Sequence, residues 1–598
     1  MPQYTAPLED FRFLYDEFLD LEPCKSLPTM AEATPDVLEA ILTEAANISQ
    51  TVLQPLNARG DEIGCRLDEG SGVVTMPEGF GEAYRTYCEN GWTGLTADPE
   101  FGGQGLPGFI GLAVSEMTNA ANAAFAAYPG LTVGAYEVIA HHGSEEQKQR
   151  YLPSMVSGEW GGTMNLTEPQ CGTDLGLIRT RAEPEADGSY RVSGTKIWIS
   201  AGEHDMVENI IHLVLARTPD APAGTRGISL FLVPKFLVND DGSLGERNGV
   251  QCTGLEKKMG VKSSATCEMQ YDNAVGFLVG EENRGLACMF IMMNAARLGT
   301  GIQGLGMASA AYQAAVSFAR ERLQGRSLGG AKYPDKPADP IMVHPDVRRM
   351  LLRSKALIEG ARALGLDTGV ALELELHHPD AAVREKAGYQ VALMTPIIKA
   401  FFTDIGFEIA NLGMQVHGGA GYVRDTGVEQ FARDVRITQI YEGTNGIQAL
   451  DLVGRKLTAN AGENLKVFFE PIEALIAEHR DQAELAEFIE PLAEASKRLQ
   501  ATTQWVYQHM SQDPLEAGAA SSDYLRQFAL TALAFVWARQ AAIARQRLEA
   551  GQGRAAFYRA KLDTARFYMT RILPETVSLD LQIRAGAAPI MDPEDGEF

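Results

Sequence analysis

The 598-residue chain reads as a multidomain α+β protein, helical toward both ends with a block of short strands between. Three observations predict this. Apolar residues recur at helical spacing up to about residue 160; β-branched and aromatic-rich runs, parted by Gly, Pro, Asp and Asn, occupy 161–282; long helical runs then return. Strands gathered into one block argue for segregated domains rather than an alternating βαβ sheet. Length alone suggests roughly three to four domains.

The first region, 1–160, is an N-terminal helical domain, with helical periodicity in DVLEAILTEAANISQTVLQPL, GFGEAYRTYCENGW and IGLAVSEMTNAANAAFAAY. SEEQKQRYLPSMVSGEW opens with a capping box, in which Ser144 accepts the N–H three residues on and Gln147 reaches back. The second, 161–282, is the strand block, with YRVSGTKIWIS, NIIHLVLART and GISLFLVPKF, a pattern that EKKMGVKSSATCEMQYDNAVGFLVG continues. The third, 283–460, holds long helices, a turn-rich junction (VHGGAGYVRDTG), a short helix, IYEGTNG and the helix IQALDLVGRKL. The fourth, 461–598, is an added helical domain rich in Ala, Leu, Gln, Arg and Glu. No internal repeat is visible.

Hydrophobic residues make up 45% and charged residues 22%, normal for a chain that buries large cores. The formal net charge of −26 repels phosphate backbones and anionic membranes, which excludes nucleic acid as the default partner. An anionic ligand must then find local basic groups or helix N-termini. Seven scattered cysteines with no C-x-x-C pair argue against a disulfide framework and against structural zinc. The opening residues are amphipathic and acidic rather than basic-then-apolar, unlike a signal peptide, and no run approaches ~18 consecutive apolar residues. These readings predict a cytoplasmic protein with no membrane insertion.

Some motifs mislead. Gly103-Gln104-Gly105-Leu106-Pro107-Gly108 fits G-x-G-x-x-G literally, but that fingerprint requires a preceding strand, and here the flanks are helical with a proline inside. A tight loop between helices is the better reading. His141-His142 and His377-His378 diverge by ~100° on a helix and read as helix-terminal pairs rather than metal ligands. No zinc spacing, calcium loop, G-x-S-x-G elbow or P-loop occurs, so no metal is expected.

Three segments carry a joint signal: Met164-Asn165-Leu166-Thr167-Glu168-Pro169-Gln170-Cys171-Gly172-Thr173-Asp174, Gly194-Thr195-Lys196-Ile197-Trp198-Ile199-Ser200-Ala201-Gly202, and Tyr441-Glu442-Gly443-Thr444-Asn445-Gly446-Ile447-Gln448. Alone, each is a turn, a strand or a helix boundary. Together, in this order and at these separations, they closely resemble the acyl-CoA dehydrogenase family. HHGSEEQKQRYLP, the helix around Arg322 and Gln415-Val416-His417-Gly418-Gly419 extend the resemblance over nearly the whole chain. The opening YTAPLEDFRF and the helical extension resemble a subgroup of long bacterial members, which includes 3-methylmercaptopropionyl-CoA dehydrogenases of dimethylsulfoniopropionate breakdown.

The resemblance implies an N-terminal helical domain, a central β-barrel-like domain and a four-helix-bundle domain, with the extension added. It implies FAD as cofactor, an acyl-CoA substrate desaturated between its α and β carbons, an electron-transfer flavoprotein as acceptor, and a homo-oligomer, most simply a dimer. Glu442 matches the position of the base that removes the α-proton, and its backbone N–H would grip the thioester carbonyl. Met164, Leu166 and Thr167 match the isoalloxazine edge, Thr173 the pyrophosphate, Trp198 the ring cover and Ser200 the neighbourhood of N5. Arg322, Gln415, Gly418 and Gly419 match residues that reach the adenine and pyrophosphate end across a subunit boundary; Thr444 and Asn445 begin the helix whose N-terminus attracts phosphate or adenine acceptors. Tyr441, Gly443, Arg297 and Asn294 fall on the substrate side. The sequence departs from the family pattern at Asn294, where an acidic residue is frequent, and at Glu321–Arg326, one residue short and lacking an aromatic. Alternatives are a medium- or long-chain fatty acyl-CoA dehydrogenase and, more distantly, a flavin-carrying DNA-associated protein, for which the acidic C-terminal region lacks the basic patch.

Overall fold

The computed structural model describes residues 2–551 and 553–597. The chain forms two compact units, one of Met1–Ala46, Gly108–Ala120 and Thr300–Phe598, the other of Asn47–Pro107 and Ala121–Gly299. The chain passes between them four times, twice inside long helices, Gly108–His142 (α1) and Gly285–Glu321 (α2). Just past the boundary inside α1, Asn122 leaves the helical region at φ −160°.

The second unit is built on seven strands: Trp160–Asn165 (β1), Arg181–Pro184 (β2), Tyr190–Ser200 (β3), Asn209–Ala216 (β4), Ser229–Pro234 (β5), Val250–Leu255 (β6) and Thr266–Val279 (β7). Their order is β1-β4-β5-β7-β3-β2, with β6 also on β7, and only β1 and β4 run parallel. The edge strand β2 returns to the end of β4, where Ala182 N–H donates to the Arg217 carbonyl (2.8 Å) and Arg217 N–H to that of Thr180 (2.9 Å). The sheet therefore curls on itself, which is the barrel-like form. NIIHLVLA and SLFLVP are buried along their whole length because both faces are covered. Leu213, Leu215, Leu230 and Leu232 face a core with Tyr151, Met155 and Trp160; Val214, Phe231 and Val233 face another with Val192 and Tyr271.

The Ser144–Gln147 capping box forms as expected, with both bonds made (3.0 and 3.2 Å). Gly103–Gly108 is a loop between a short 3-10 turn and α1, and a Cβ on Gly103 would lie 2.0 Å from the Ala97 carbonyl oxygen. One element lay outside the helical expectation for 1–160: a hairpin of Arg66–Asp68 with Val73–Thr75, whose three-residue strands are too short to show a period.

In the first unit, Pro345–His377 (α3) packs on Ala381–His417 (α4). Gly301 and Gly304 let α2 approach α4, since a Cβ there would lie 2.9 and 3.0 Å from the Ile398 and Phe402 carbonyl oxygens. α2 is long and apolar enough to cross a membrane by length and composition, and half of its most apolar window is buried within the protein. The short helix Asn445–Asp451 (α5) follows, then the extension, whose helices include Ala486–Met510 (α6), Pro514–Glu549 (α7) and Ala555–Arg571 (α8). α7 packs on α3 and α4, and buried Trp537 donates its indole N–H to the Ala356 carbonyl (3.0 Å). Buried ions join distant parts of this unit. Arg362 bonds Glu116 (2.5–3.0 Å) and Asp10 (2.5 Å), and Lys561 bonds Asp10 and Glu359 (2.8 Å).

Candidate functional site

In the barrel-like unit, β1 ends at Asn165 and the chain turns through Leu166, Thr167 and Glu168. Met164, Leu166 and Thr167 are half-buried, Thr173 is exposed and Ser200 half-buried. β3 carries a bulge beside this edge: Ile199 opposes Cys267 and Lys196 opposes Met269, so Ile197 and Trp198 together face one residue, Glu268. Trp198 sits there at φ 62°, in the left-handed region, and its side chain is re-aimed to 55% exposure. A left-handed non-glycine residue costs about 1–2 kcal/mol, which the surrounding structure must hold in place.

The sequence reading assigned no role to the pair that does so. Lys196, fully buried, donates to the Leu166 carbonyl (2.9 Å) and to Glu168 (2.8 Å). Glu168 also accepts from Thr180 N–H (3.0 Å), Thr180 hydroxyl (2.6 Å) and Arg179 N–H (2.7 Å). Burial pushes the Glu168 carboxyl up, but Lys196 and these donors outweigh it and hold the carboxyl down at about 2. Ile197 N–H donates to the Thr167 carbonyl (3.0 Å), so the bulge and the 166–168 turn move as one piece. The sequence signal was a lysine in register with Val192 on the apolar face of β3, which demands a buried anion. Beneath β1, Thr163, Asn165, His212 and Tyr271 form a buried chain of hydrogen bonds (2.8 Å each). Burial drops His212 to about 3, so it is neutral.

In the helical unit, Glu442 and Gly443 are consecutive left-handed residues, at φ 56° and 81°. The segment is pinned on three sides. Tyr441 donates its hydroxyl to Gln303 on α2; burial, then the Glu442 charge, pushes the phenol up, so it remains a donor. The Asn445 carboxamide turns to α4, accepting from buried Lys399 (2.9 Å) and donating to the Ala400 carbonyl (3.1 Å) and Asp404 (2.8 Å). Gln448, buried on α5, donates to the carbonyls of Glu442 (3.2 Å) and Gly443 (3.1 Å). Asn445 thus spends its side chain on the scaffold, and Thr444, exposed, is the N-cap of a helix of only seven residues.

Arg322, Gln415, Gly418 and Gly419 are all exposed. Phe318 stacks on His417 (4.4 Å between ring centres), which brings the ends of α2 and α4 together and sets Arg322, one turn beyond Phe318, at the same end as Gly418. The Arg322 guanidinium makes no ion pair among the described residues, and a Cβ on either glycine would meet open space. The short Glu321–Arg326 segment continues into a loop held by buried Asp339, which accepts from the N–H groups of Ser327 (2.9 Å), Lys332 (3.1 Å) and Tyr333 (2.8 Å). Arg297, on α2 in the other unit, is buried beside Asn294 (3.4 Å).

This architecture has relatives. The acyl-CoA dehydrogenase N-terminal, middle and C-terminal domain families match residues 40–159, 163–274 and 283–457, and the acetyl-CoA dehydrogenase C-terminal-like family matches 468–594. The chain is 44% identical over 573 residues to 3-methylmercaptopropionyl-CoA dehydrogenase of Ruegeria pomeroyi, covering 96% of each. The chain belongs to the acyl-CoA dehydrogenase family. It is 35% identical over 592 residues to a butyryl-CoA dehydrogenase of Syntrophomonas wolfei, covering 96% of this chain and 95% of that one. Its fold matches Caenorhabditis elegans ACDH-11, solved in complex with C11-CoA, at a TM-score of 0.77 and 20% identity over 95% of this chain and 91% of that one.

Members of the family are FAD-dependent oxidoreductases acting on CH–CH bonds, and so is this chain. The residues present fit the cofactor. A large indole held exposed in a strained bulge, beside half-buried Thr167 and Ser200, offers a ring-stacking face with hydroxyls at its edge. A guanidinium without an ion pair beside two glycines with open space suits a diphosphate.

Proposed function

We propose that the chain desaturates 3-methylmercaptopropionyl-CoA to its α,β-enoyl form, with Glu442 as the base and an electron-transfer flavoprotein as acceptor. The 44% identity over 96% of the chain to an enzyme named for that substrate carries the reading. When bound, FAD accepts the β-hydrogen with its electron pair. The chain's own task is the α-proton. A thioester α-C–H is too weak an acid for an ordinary carboxylate, so the site must raise the base's strength by excluding water and stabilise negative charge developing on the carbonyl. Glu442 takes the α-proton on its carboxylate, its backbone N–H holds the thioester oxygen, and glycine at 443 lets the chain approach closely. Arg297, Asn294 and Tyr441 line the substrate side. Met164, Leu166, Thr167, Thr173, Trp198 and Ser200 hold the flavin, and the backbone N–H groups of Thr444 and Asn445 attract phosphate or adenine acceptors. Arg322, Gln415, Gly418 and Gly419 reach the adenine and pyrophosphate end of a second copy's flavin, so the working unit is a homodimer in the cytoplasm.

Glu442→Gln is expected to remain yellow and folded while turnover falls at least ~10²-fold, the lower end for general-base catalysis. Near-normal bleaching of the flavin by substrate in that variant would remove Glu442 from this role. A panel of 3-methylmercaptopropionyl, butyryl, octanoyl and palmitoyl thioesters with an artificial acceptor tests the substrate; the first is expected to give the highest kcat/KM. The 35% identity to a butyryl-CoA dehydrogenase favours a fatty acyl-CoA as the second reading, which a higher value for butyryl-CoA or a longer chain would establish.

A further inference from the structure

We infer that Gln448 is a positioning residue for the reaction: its carboxamide holds the left-handed Glu442–Gly443 pair and thereby sets where the base stands. The inference rests on Glu442 being the base.

Two successive residues at φ 56° and 81° do not persist by local preference, because at Glu442 the Cβ crowds its own backbone. Something must satisfy the two carbonyls that this geometry turns aside. Gln448 does so with both hydrogens of one nitrogen, Nε2, at 3.2 Å from the Glu442 oxygen and 3.1 Å from the Gly443 oxygen. The amide orientation follows from chemistry: rotated by 180°, it would set its oxygen against two carbonyl oxygens. The cost is visible at the other end, where Gln448 Oε1 is buried with no hydrogen-bond partner. The spacing fits. Gln448 follows Glu442 by six residues, on the first turn of α5, and its own N–H bonds the Thr444 carbonyl (3.1 Å), fixing the helix from which the side chain reaches back. Asn445 and Tyr441 hold the segment to α4 and α2, while Gln448 bonds the Glu442 and Gly443 carbonyls directly. Gln448 therefore acts on the base's backbone, and through it on its N–H and carboxylate.

The experiment compares Gln448→Met, equal in length but without donors, with Glu442→Gln and the double variant, using the acyl-CoA of highest kcat/KM in the panel. Flavin content, melting temperature and the pH profile of flavin bleaching are read alongside turnover. Gln448→Met is expected to keep its flavin and lose at least 10-fold in kcat with KM changed less than threefold, and to move the pH at which bleaching is half-maximal. The double variant is expected to match Glu442→Gln, since a displaced base cannot be lost twice. Unchanged kcat and pH profile in Gln448→Met, with Glu442→Gln inactive, overturns the inference and leaves the base in place. Activity in Glu442→Gln overturns the base itself. If Gln448→Met does not load flavin, Gln448→Asn, which keeps a neutral amide but withdraws it by one methylene from the two carbonyls, is read in the same way. Loss of flavin from both would assign Gln448 to the fold of the helical unit and overturn its positioning role.

Discussion

At the scale of single residues, two of the left-handed non-glycine residues stand where the chemistry is expected. Trp198 and Glu442 are both non-glycine residues with positive φ, each next to a group that the fold spends hydrogen bonds to fix. Gly443 makes the point testable. At φ 81° it tolerates no side chain without strain, so Gly443→Ala is expected to destabilise by about 1 kcal/mol or more. Turnover should fall beyond what the lower melting temperature explains, because Glu442, the proposed base, moves with its neighbour. An unchanged melting temperature would show that the left-handed turn is not what position 443 requires. Glu442, Trp198 and Thr167 are singled out in the sequence because the resemblance carries them residue by residue, and the structure adds the left-handed geometry of the first two. Gln448 stood in the same motif, yet its role was not legible: a buried amide that reaches back six residues leaves no periodic mark. Asn445 shows the converse, since a phosphate-attracting helix start hides a side chain turned the other way, into α4.

At the scale of elements, the strand block and the capping box followed from period and cap chemistry, while the 66–75 hairpin was too short to have a period. The bulge in β3 could not be read from the sequence, because register shifts arise from pairing with β7 and not from composition. Its stability depends on the ion pair beneath it. Lys196→Met leaves the Glu168 carboxylate buried without its cation, a loss of about 3–5 kcal/mol. The variant is expected to purify with less FAD and a lower melting temperature. Acid gives a second measure. Glu168 is held at about 2 against an ordinary 4.5, so its contribution is fully present above about pH 4.5 and disappears as the pH falls toward 2. Asp10, which burial pushes up but Lys561 and Arg362 bring down to about 2, has the same sign. Glu168→Gln should therefore be less stable at neutral pH and lose stability less steeply over that interval. Equal slopes for variant and parent would mean that Glu168 is not ionised in the fold.

At the scale of the whole molecule, the extension is tied into the helical unit by charge as much as by apolar contact. Its cations meet acidic groups from the opposite end of the sequence. Arg547 (2.8 Å) and Arg554 (2.6 Å) bond Glu17, and Tyr558 adds its hydroxyl (2.9 Å). Lys561 lies between Asp10 and Glu359, both buried or nearly so, in a cluster that Arg362 completes through Glu116. Compositional reading of 461–598 as an added domain did not reveal this, because partners some 550 residues apart leave no local pattern. The consequence is that the extension is not detachable. A chain ending at residue 460 would leave Asp10, Glu17 and Glu359 without these partners and uncover the α3 surface on which Trp537 rests. It is expected to be insoluble. Lys561→Met in the full chain is the milder form of the same cut, with an expected loss of about 3–5 kcal/mol. Asp10→Asn added to it should cost less than the two single losses summed, since the charges answer each other. A truncated chain that stays soluble and melts as cooperatively as its parent would show instead that the helical bundle stands without the extension, and that the buried ions bind the two but do not hold either up.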